Sequence, residues 1–186
     1  KFDYPTYFKT PPQWEWRSDP PAIRFATGSC AYINEEKYDR PNDNYGGDYQ
    51  IFESIADKKP DFMIWLGDNV YYREADWNSR TGIIHRNTHT RSIKEMQRLL
   101  TTVNNYAIWD DHDYGPNNSD KSYWFKNNTL EAFKLFWANP SYGIGDIKGA
   151  LTYFNRADCD FFLLDNRFYR DPNYLQKSYK TIRVLY

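Results

Sequence analysis

Three acids and a histidine follow directly after an apolar run near the middle of the chain: Asp110, Asp111, His112 and Asp113. The run 106–109 predicts a buried strand that ends where these polar residues begin. Carboxylates crowded at one strand end repel each other unless a cation or solvent balances their charge. The segment is therefore either a metal site, with His112 as proton donor or ligand, or a solvated acidic turn, because Asp, Asn, Gly and Pro are common in turns.

Two other apolar runs also end in residues that could bind a metal. The run 22–28 predicts a strand followed by Cys30, and the run 61–66 predicts a strand followed by Gly67 and Asp68. Between the strands, helical patterns are predicted over 46–57, 90–101 and 129–138, with Asp48 and Thr129 as N-terminal caps. Two further strands are predicted over 150–154 and 160–164.

Strands that alternate with helices predict an α/β fold with a largely parallel sheet. Functional groups in such sheets collect outside the carboxyl ends of the strands. Right-handed crossovers would bring Cys30, Asp68 and Asp110 or Asp111 to one edge. The recurrence of ligand-type residues at three strand ends favours metal binding over three unrelated turns.

Other residues are open to two interpretations. Tyr71 could bind a ferric ion as a phenolate three residues after a ligand Asp68, although core packing is also common for tyrosine. Cys30 is either a thiolate ligand or a small buried residue. Asn118 either forms a turn or donates an amide oxygen to a hard cation.

His85 and His89 are predicted to lie in a polar, solvated loop, and Cys159 is assigned a structural role.

The composition excludes several classes of protein. The net charge is −1, from 24 basic and 25 acidic residues with no basic block, so nothing indicates a nucleic-acid or anionic-membrane surface. The 36 aromatic residues (7 Trp, 17 Tyr and 12 Phe) argue against disorder. Two cysteines are too few for a disulfide scaffold. The 186 residues contain no signal-peptide pattern and no apolar stretch near the ~18 residues of a membrane span.

Motifs of other enzyme classes do not occur in the sequence. It has no Gly-x-Ser-x-Gly elbow, Walker A loop, Rossmann glycine fingerprint or His-Glu-x-x-His pattern. Serine-hydrolase, nucleotide-triphosphatase, dehydrogenase and zincin activities therefore lack support.

Four short motifs occur in a specific order: Phe-Ala-Thr-Gly-Ser-Cys at 25–30, Trp-Leu-Gly-Asp-Asn-Val-Tyr at 65–71, Trp-Asp-Asp-His-Asp at 109–113 and Leu-Asp-Asn-Arg at 164–167. Together they resemble the PhoD-like alkaline phosphatases and phosphodiesterases of the metallophosphatase superfamily, from about residue 22 to about residue 175. The resemblance implies a sandwich of two sheets flanked by helices. It also implies phosphoester hydrolysis, of diesters and monoesters, by a secreted or periplasmic enzyme in which metal-activated water attacks phosphorus.

The resemblance also implies site residues by position. Cys30, Asp68 and Tyr71 match the residues that hold an iron, and Asp68 is suited to bridge to a calcium. Asp111 matches a metal-binding residue of the superfamily's Gly-Asn-His-Asp/Glu motif, and Asp110 replaces its glycine. His112 matches the histidine, which implies that it stabilises or protonates the leaving oxygen. Asn118 is a weaker match as a metal ligand.

The sequence departs from the family pattern after these motifs. The family completes its site with a later Gly-Asp-x-His-type segment, whereas no histidine follows His112 here, and residues 181–186 lack the expected helix pattern. We therefore expect 1–21 to be a linker or the tail of an upstream domain, and 22–186 to be the N-terminal portion of a catalytic domain. The alternatives are a non-catalytic metal-stabilised binding module, a carbohydrate-active protein with a carboxylate pair, and an inactive fragment or relative.

Overall fold

The computed structural model describes residues 6, 8–39 and 47–176. The strands are β1 (Phe25–Gly28), β2 (Phe62–Leu66), β3 (Asn104–Ile108), β4 (Gly143–Ile144), β5 (Ile147–Lys148), β6 (Thr152–Arg156) and β7 (Cys159–Leu163). The helices are α1 (Gln50–Asp57), α2 (Arg80–Ser92), α3 (Lys94–Thr102), α4 (Asp111–Tyr114), α5 (Lys126–Phe136) and α6 (Asn173–Gln176).

The three predicted strands that precede the ligand-type residues form one parallel sheet in the order β1-β2-β3. In its register, Gly28 pairs with Trp65, and Leu66 pairs with Ile108. All three strands therefore end at the same edge of the sheet. The predicted α/β fold with parallel strands is confirmed.

Each face of the parallel sheet packs against a different layer, because successive side chains of a strand point to opposite sides. Met63 and Trp65 of β2 pack in a cluster with Phe52 of α1, Leu99 of α3 and Phe133 of α5. The alternate residues of β2 face a second cluster. Phe62 and Ile64 pack there with Tyr106 of β3 and with Phe154 and Leu163 of the β6–β7 hairpin. A helical layer thus covers one face, and an antiparallel hairpin lies on the other.

The hairpin is consistent with a second sheet, and its strands lie close to the predicted runs 150–154 and 160–164. The full two-sheet sandwich of the metallophosphatases stays a prediction. The short β4–β5 hairpin was not predicted, because two-residue strands leave no periodic pattern.

The starts of two helices differ from the sequence predictions. Helix α1 begins at Gln50, after the left-handed residue Tyr49, with no side-chain cap. The prediction that Asp48 caps this helix is therefore wrong. The predicted start at residue 46 lies outside the described residues. Helix α5 begins three residues before Thr129, whose hydroxyl is buried inside the helix and donates to the Lys126 carbonyl.

The polar segment that contains His85 and His89 is helical, which corrects the prediction of a loop. Ser79 caps α2 by accepting a hydrogen bond from the Gly82 N–H at 3.0 Å. The predicted helix 90–101 is divided between α2 and α3 by the extended residue Ile93. Polar side chains fill the buried face of α2 together with Ile83, and this mixture hides the helical period of the sequence.

The described part of the N-terminal arm, residue 6 and residues 8–21, contains no helix or strand. A turn there is closed by hydrogen bonds from Arg17 N–H and Ser18 N–H to the Trp14 carbonyl. The role of 1–21 as a linker and the boundary at 22 stay predictions.

Residues 177–186, and with them the segment 181–186, lie outside the described residues. None of the helices in the described ranges has the length and apolar character needed to span a membrane.

Candidate metal centre

The turns after β1 and β2 are joined by main-chain hydrogen bonds at the carboxyl edge of the sheet. The Cys30 N–H donates to the Gly67 carbonyl at 3.2 Å, and the Ala31 N–H donates to the Asp68 carbonyl at 2.9 Å. These bonds place Cys30 beside Asp68, with 3.8 Å between Cys30 Sγ and Asp68 Oδ2. Two residues 38 positions apart in sequence thus become neighbours.

Asp68 lies at the centre of the site, and only 8% of the residue is exposed. The Tyr71 hydroxyl lies 3.2 Å from Asp68 Oδ2, on the same oxygen as Cys30. The other oxygen, Oδ1, accepts a hydrogen bond from the His112 N–H at 3.1 Å. One carboxylate therefore faces Cys30 and Tyr71 with one oxygen and the turn after β3 with the other.

Among the described residues, one group of three His, Cys, Asp or Glu side chains could hold a metal ion: Asp68, Asp111 and His112, whose potential ligand atoms all lie within 4.8 Å of one another. Two carboxylates and an imidazole are a donor set that suits a divalent or ferric ion. The donor chemistry at this edge thus fits the metals that the sequence implies. As individual ligands, Cys30, Asp68, Tyr71, Asp111 and Asn118 stay predictions.

The two central carboxyls differ in their electrostatic environment. Burial and the nearby Asp111 raise the pKa of Asp68, against the lowering effect of the His112 N–H. Burial acts in the same direction on Asp111, but the Asn118 N–H and the Arg167 charge outweigh it and lower the pKa of Asp111. A bound cation would favour the charged form of both groups.

Asn118 contacts Asp111 through its main chain. Its N–H donates to Asp111 Oδ2 at 2.6 Å, and its backbone is left-handed, with φ of 59°. Cys30 and Asp68 are also left-handed, with φ of 61° and 52°. Asp and Asn adopt this conformation more readily than other L residues, whereas at Cys30 it costs about 1 kcal/mol or more. Three of the five predicted metal ligands share it.

Gly67 allows the turns after β2 and β3 to approach closely. Its φ is +98°, and a Cβ added there would lie 2.6 Å from both the Asp110 nitrogen and the Asp110 Cβ. Glycine is therefore the residue that this contact requires.

Asp113 joins the same two turns, a role that was not predicted from the sequence. Its carboxylate accepts hydrogen bonds from the Asp68 N–H at 3.3 Å, the Asp110 N–H at 2.6 Å, and the Asn69 N–H and side-chain amide at 3.1 and 2.9 Å. Only 5% of it is exposed, and burial raises its pKa well above the ordinary range. The spacing of Asp110 and Asp113 is that of a capping box, a signal that could have identified this role.

Aromatic contacts orient the predicted catalytic histidine. The ring of Tyr71 stacks on the ring of His112, with 4.6 Å between centroids and 28° between planes. The His112 carbonyl also accepts a hydrogen bond from the Tyr72 N–H at 3.1 Å. Burial, together with the proximity of Cys30 and Asp68, strongly raises the pKa of the Tyr71 phenol. A phenolate at this position therefore needs a bound cation to stabilise it.

A network of ion pairs holds the segment after Cys30 against the segment after Tyr71. Arg73 pairs with Asp39, with Nε 2.8 Å from Oδ1 and NH2 2.5 Å from Oδ2. Arg86 of α2 pairs with Glu35 at 2.7 Å and with Asp76 at 3.0 Å. The sequence does not reveal this network, because its members are spread over 52 residues from Glu35 to Arg86 and form no local motif.

We expect this network to make stability fall at low pH through Asp39. Burial opposes ionisation of Asp39, but the hydrogen bonds from Arg73 and the Glu35 N–H and the charges of Arg73 and Arg86 together outweigh it and lower the pKa to about 2 from a usual 3.8. A carboxyl with a lowered folded-state pKa stabilises the fold above pH 4 and loses that contribution as the pH falls towards 2. The full effect is about 2 kcal/mol. Urea unfolding of the protein and of Asp39→Asn between pH 5 and pH 2.5 measures it.

The Asp39→Asn protein should be less stable at pH 5 and should approach the wild type at pH 2.5. Asp57→Asn is the matched control, because its partner Arg98 and its own side chain are both exposed. A pH dependence unchanged by Asp39→Asn would show that Asp39 is not the titrating group.

The remaining candidates lie outside the metal centre. His85 pairs with Glu35 at 3.0 Å on the surface of α2. His89 lies one turn further along α2, with 6.3 Å between the two ring centroids. Cys159 is exposed at the start of β7 and contacts its neighbour Asp158.

Comparison with known proteins agrees with this architecture. A solved structure described as "Structure of PhoD" superposes with a TM-score of 0.60 and 18% sequence identity. The chain has a PhoD-like fold. The superposition covers 83% of this chain and 33% of the PhoD chain, so this chain spans about a third of the length of PhoD. No protein-family model and no curated protein sequence matches it.

Proposed function

We propose that this chain is part of a metal-dependent phosphoester hydrolase of the PhoD type, and that the activity belongs to the full-length enzyme. The observation that carries the proposal is the convergence of Asp68, Asp111 and His112 from the turns after two parallel strands, with ligand atoms within 4.8 Å. The PhoD-like fold supports a hydrolase over other metal-binding functions. Fold alone does not define activity, so the proposal rests on the site and uses the fold as support.

The donor atoms divide into two groups around Asp68. Cys30 and Tyr71 lie on one of its oxygens, at 3.8 and 3.2 Å, and we assign them with Asp68 to an iron. Asp111 has a potential ligand atom within 4.8 Å of one on Asp68, and we assign Asp68, Asp111 and the weaker candidate Asn118 to a calcium. When bound, such ions polarise a phosphoryl oxygen and lower the pKa of a water molecule that can attack phosphorus.

The protein's own contribution to the chemistry is orientation and proton supply. Stacking on Tyr71, and hydrogen bonds from the His112 N–H to Asp68 and from the Tyr72 N–H to the His112 carbonyl, hold His112 in place. We propose that its imidazole donates a hydrogen bond or a proton to the leaving oxygen. Asp113 keeps Asp68 and Asp110 in register, so that the two turns present their carboxylates to one point.

The substrates that we propose are phosphodiesters and phosphomonoesters, and the proposed location is secreted or periplasmic. We also propose that residues 22–186 are the N-terminal portion of a catalytic domain. These assignments follow from the resemblance of the four motifs and from the share of the PhoD chain that is covered.

Removal of metal tests the proposal directly. In the full-length enzyme, we expect hydrolysis of bis(p-nitrophenyl) phosphate to fall at least about 100-fold after chelation, because the protein groups alone cannot supply the Lewis acid. Iron and calcium added together should restore it, and elemental analysis should find both. Activity that survives chelation would contradict the proposal. Calcium uptake without iron or turnover would instead support a metal-stabilised binding module.

A further inference from the structure

The turn after β7 reaches the metal centre through Arg167. Only 7% of the Arg167 side chain is exposed. Its Nε donates to Asp110 Oδ1 at 2.6 Å, and its NH1 donates to the Ser119 carbonyl at 3.2 Å. Its NH2 lies against Asp110 and 3.8 Å from Asp111 Oδ1. One guanidinium therefore contacts both ends of the segment 110–119, which carries Asp111, His112 and Asn118.

The turn that presents Arg167 is itself firmly held. Asp165 accepts hydrogen bonds from the Arg167 and Phe168 N–H groups, both at 2.8 Å, and from the Ala150 N–H at 2.7 Å. Gly149 allows this approach, since a Cβ there would lie 2.3 Å from the Asp165 carboxylate. The Asn166 amide adds a hydrogen bond to Asp110 Oδ1 at 2.9 Å. The β6–β7 layer is thus connected rigidly to the parallel-sheet edge.

The chemistry of this contact requires arginine. A guanidinium has five donors in a planar fork and can bind a carboxylate and a carbonyl in different directions at the same time. An ammonium group keeps the charge but lacks the fork, so a lysine cannot reproduce the set of contacts. The positive charge also balances the acids that crowd the turn after β3.

We propose that Arg167 is a positioning residue that holds both ends of the segment 110–119 and thereby sets Asp111 and Asn118 for metal binding. The proposal deepens the proposed function and rests on it for the identity of the ligands. Arg167 acts through Asp110 and the Ser119 carbonyl.

The test compares Arg167→Met and Arg167→Lys with Arg170→Met in the full chain. Arg170 lies three residues on in the same turn and contacts Asn173 through its side chain, so it is the matched control. Calcium affinity is measured by titration calorimetry, and amide hydrogen exchange is measured over 110–119. We expect Arg167→Met to weaken calcium binding about 10- to 100-fold, as is usual when a residue that orients metal ligands is lost. Exchange at His112 and Asn118 should rise at least about tenfold, because local opening of the held segment becomes easier.

Arg167→Lys should give a calcium affinity and exchange rates between those of the wild type and Arg167→Met. Arg170→Met should match the wild type in both. If Arg167→Met does not fold, Asp110→Asn removes the charged partner and should raise the same exchange rates. Unchanged exchange and calcium affinity in a folded Arg167 variant would overturn the proposal, even if its melting temperature fell. Hydrogen exchange needs no metal, so a wild-type protein that binds no calcium would refute the proposed function while the exchange still decides the role of Arg167.

Discussion

In the full-length enzyme, Asp68→Asn should remove metal binding and reduce phosphodiester hydrolysis at least about 100-fold. Asp68 contacts Cys30 and Tyr71 with one carboxylate oxygen and the His112 N–H with the other, so it is the one side chain common to both groups of donors. An amide keeps the shape but loses the negative charge and one acceptor oxygen. Elemental analysis and bis(p-nitrophenyl) phosphate assays measure the two effects.

The matched control is Asp61→Asn. Asp61 lies just before β2, whereas Asp68 lies just after it. The Asp61 carboxylate accepts a hydrogen bond from the Arg24 N–H at the opposite edge of the sheet. Asp61→Asn should therefore leave metal content and turnover unchanged. The Asp68→Asn protein should remain folded, because burial already disfavours the charged form of Asp68. Wild-type activity in a folded Asp68→Asn protein would contradict its central role.

Asp113→Ala should destabilise the fold by about 3–5 kcal/mol, the largest loss of stability that we expect from a single polar substitution here. The substitution removes the acceptor of four hydrogen bonds and leaves three main-chain N–H groups without it, at Asp68, Asn69 and Asp110. The Asp68 and Asn69 groups lie in a buried place where water cannot easily replace the carboxylate. Urea unfolding of the metal-free protein measures the change without any contribution from bound ions.

Asp48→Asn serves as the control for loss of an acidic charge, because Asp48 is exposed and does not cap α1. It should change the free energy of unfolding by less than about 0.5 kcal/mol. Asp113→Asn separates charge from hydrogen bonding. Its amide keeps one acceptor oxygen but directs an NH2 group at donors, so it should also be strongly destabilised. An Asp113→Ala protein as stable as the wild type would refute the role that we assign to this carboxylate.

The sequence carries much of the information about where ligands gather. Runs of apolar residues that stop abruptly at Cys30, Asp68 and Asp110 predict strand ends, and the alternation with helices predicts that these ends share one edge. The structure places β1, β2 and β3 in parallel, with the expected residues at that edge. This inference succeeds because hydrophobic periodicity is a local property of a short stretch of chain, and because parallel strands joined by crossover helices end at the same edge of a sheet.

Roles that depend on partners far apart in sequence could not be predicted from patterns along a short stretch of chain. Arg167 contacts Asp110 across 57 positions, and Arg73 contacts Asp39 across 34. Neither pair has a sequence spacing from which the contact could be predicted. The helical state of His85 and His89 was also hidden, because the buried face of α2 is filled largely by polar side chains whose partners lie on other elements.

The sequence by itself determined the α/β alternation, the three strand ends and the types of donor atom available there. Only the tertiary structure decided which contacts Asp110, Asp111, His112 and Asp113 make. Asp111 and His112 face Asp68, Asp110 pairs with Arg167, and Asp113 is buried beneath both turns. The four neighbours differ because α4 begins within the segment and turns successive side chains in different directions, towards partners that the fold brings from the turns after β2 and β7.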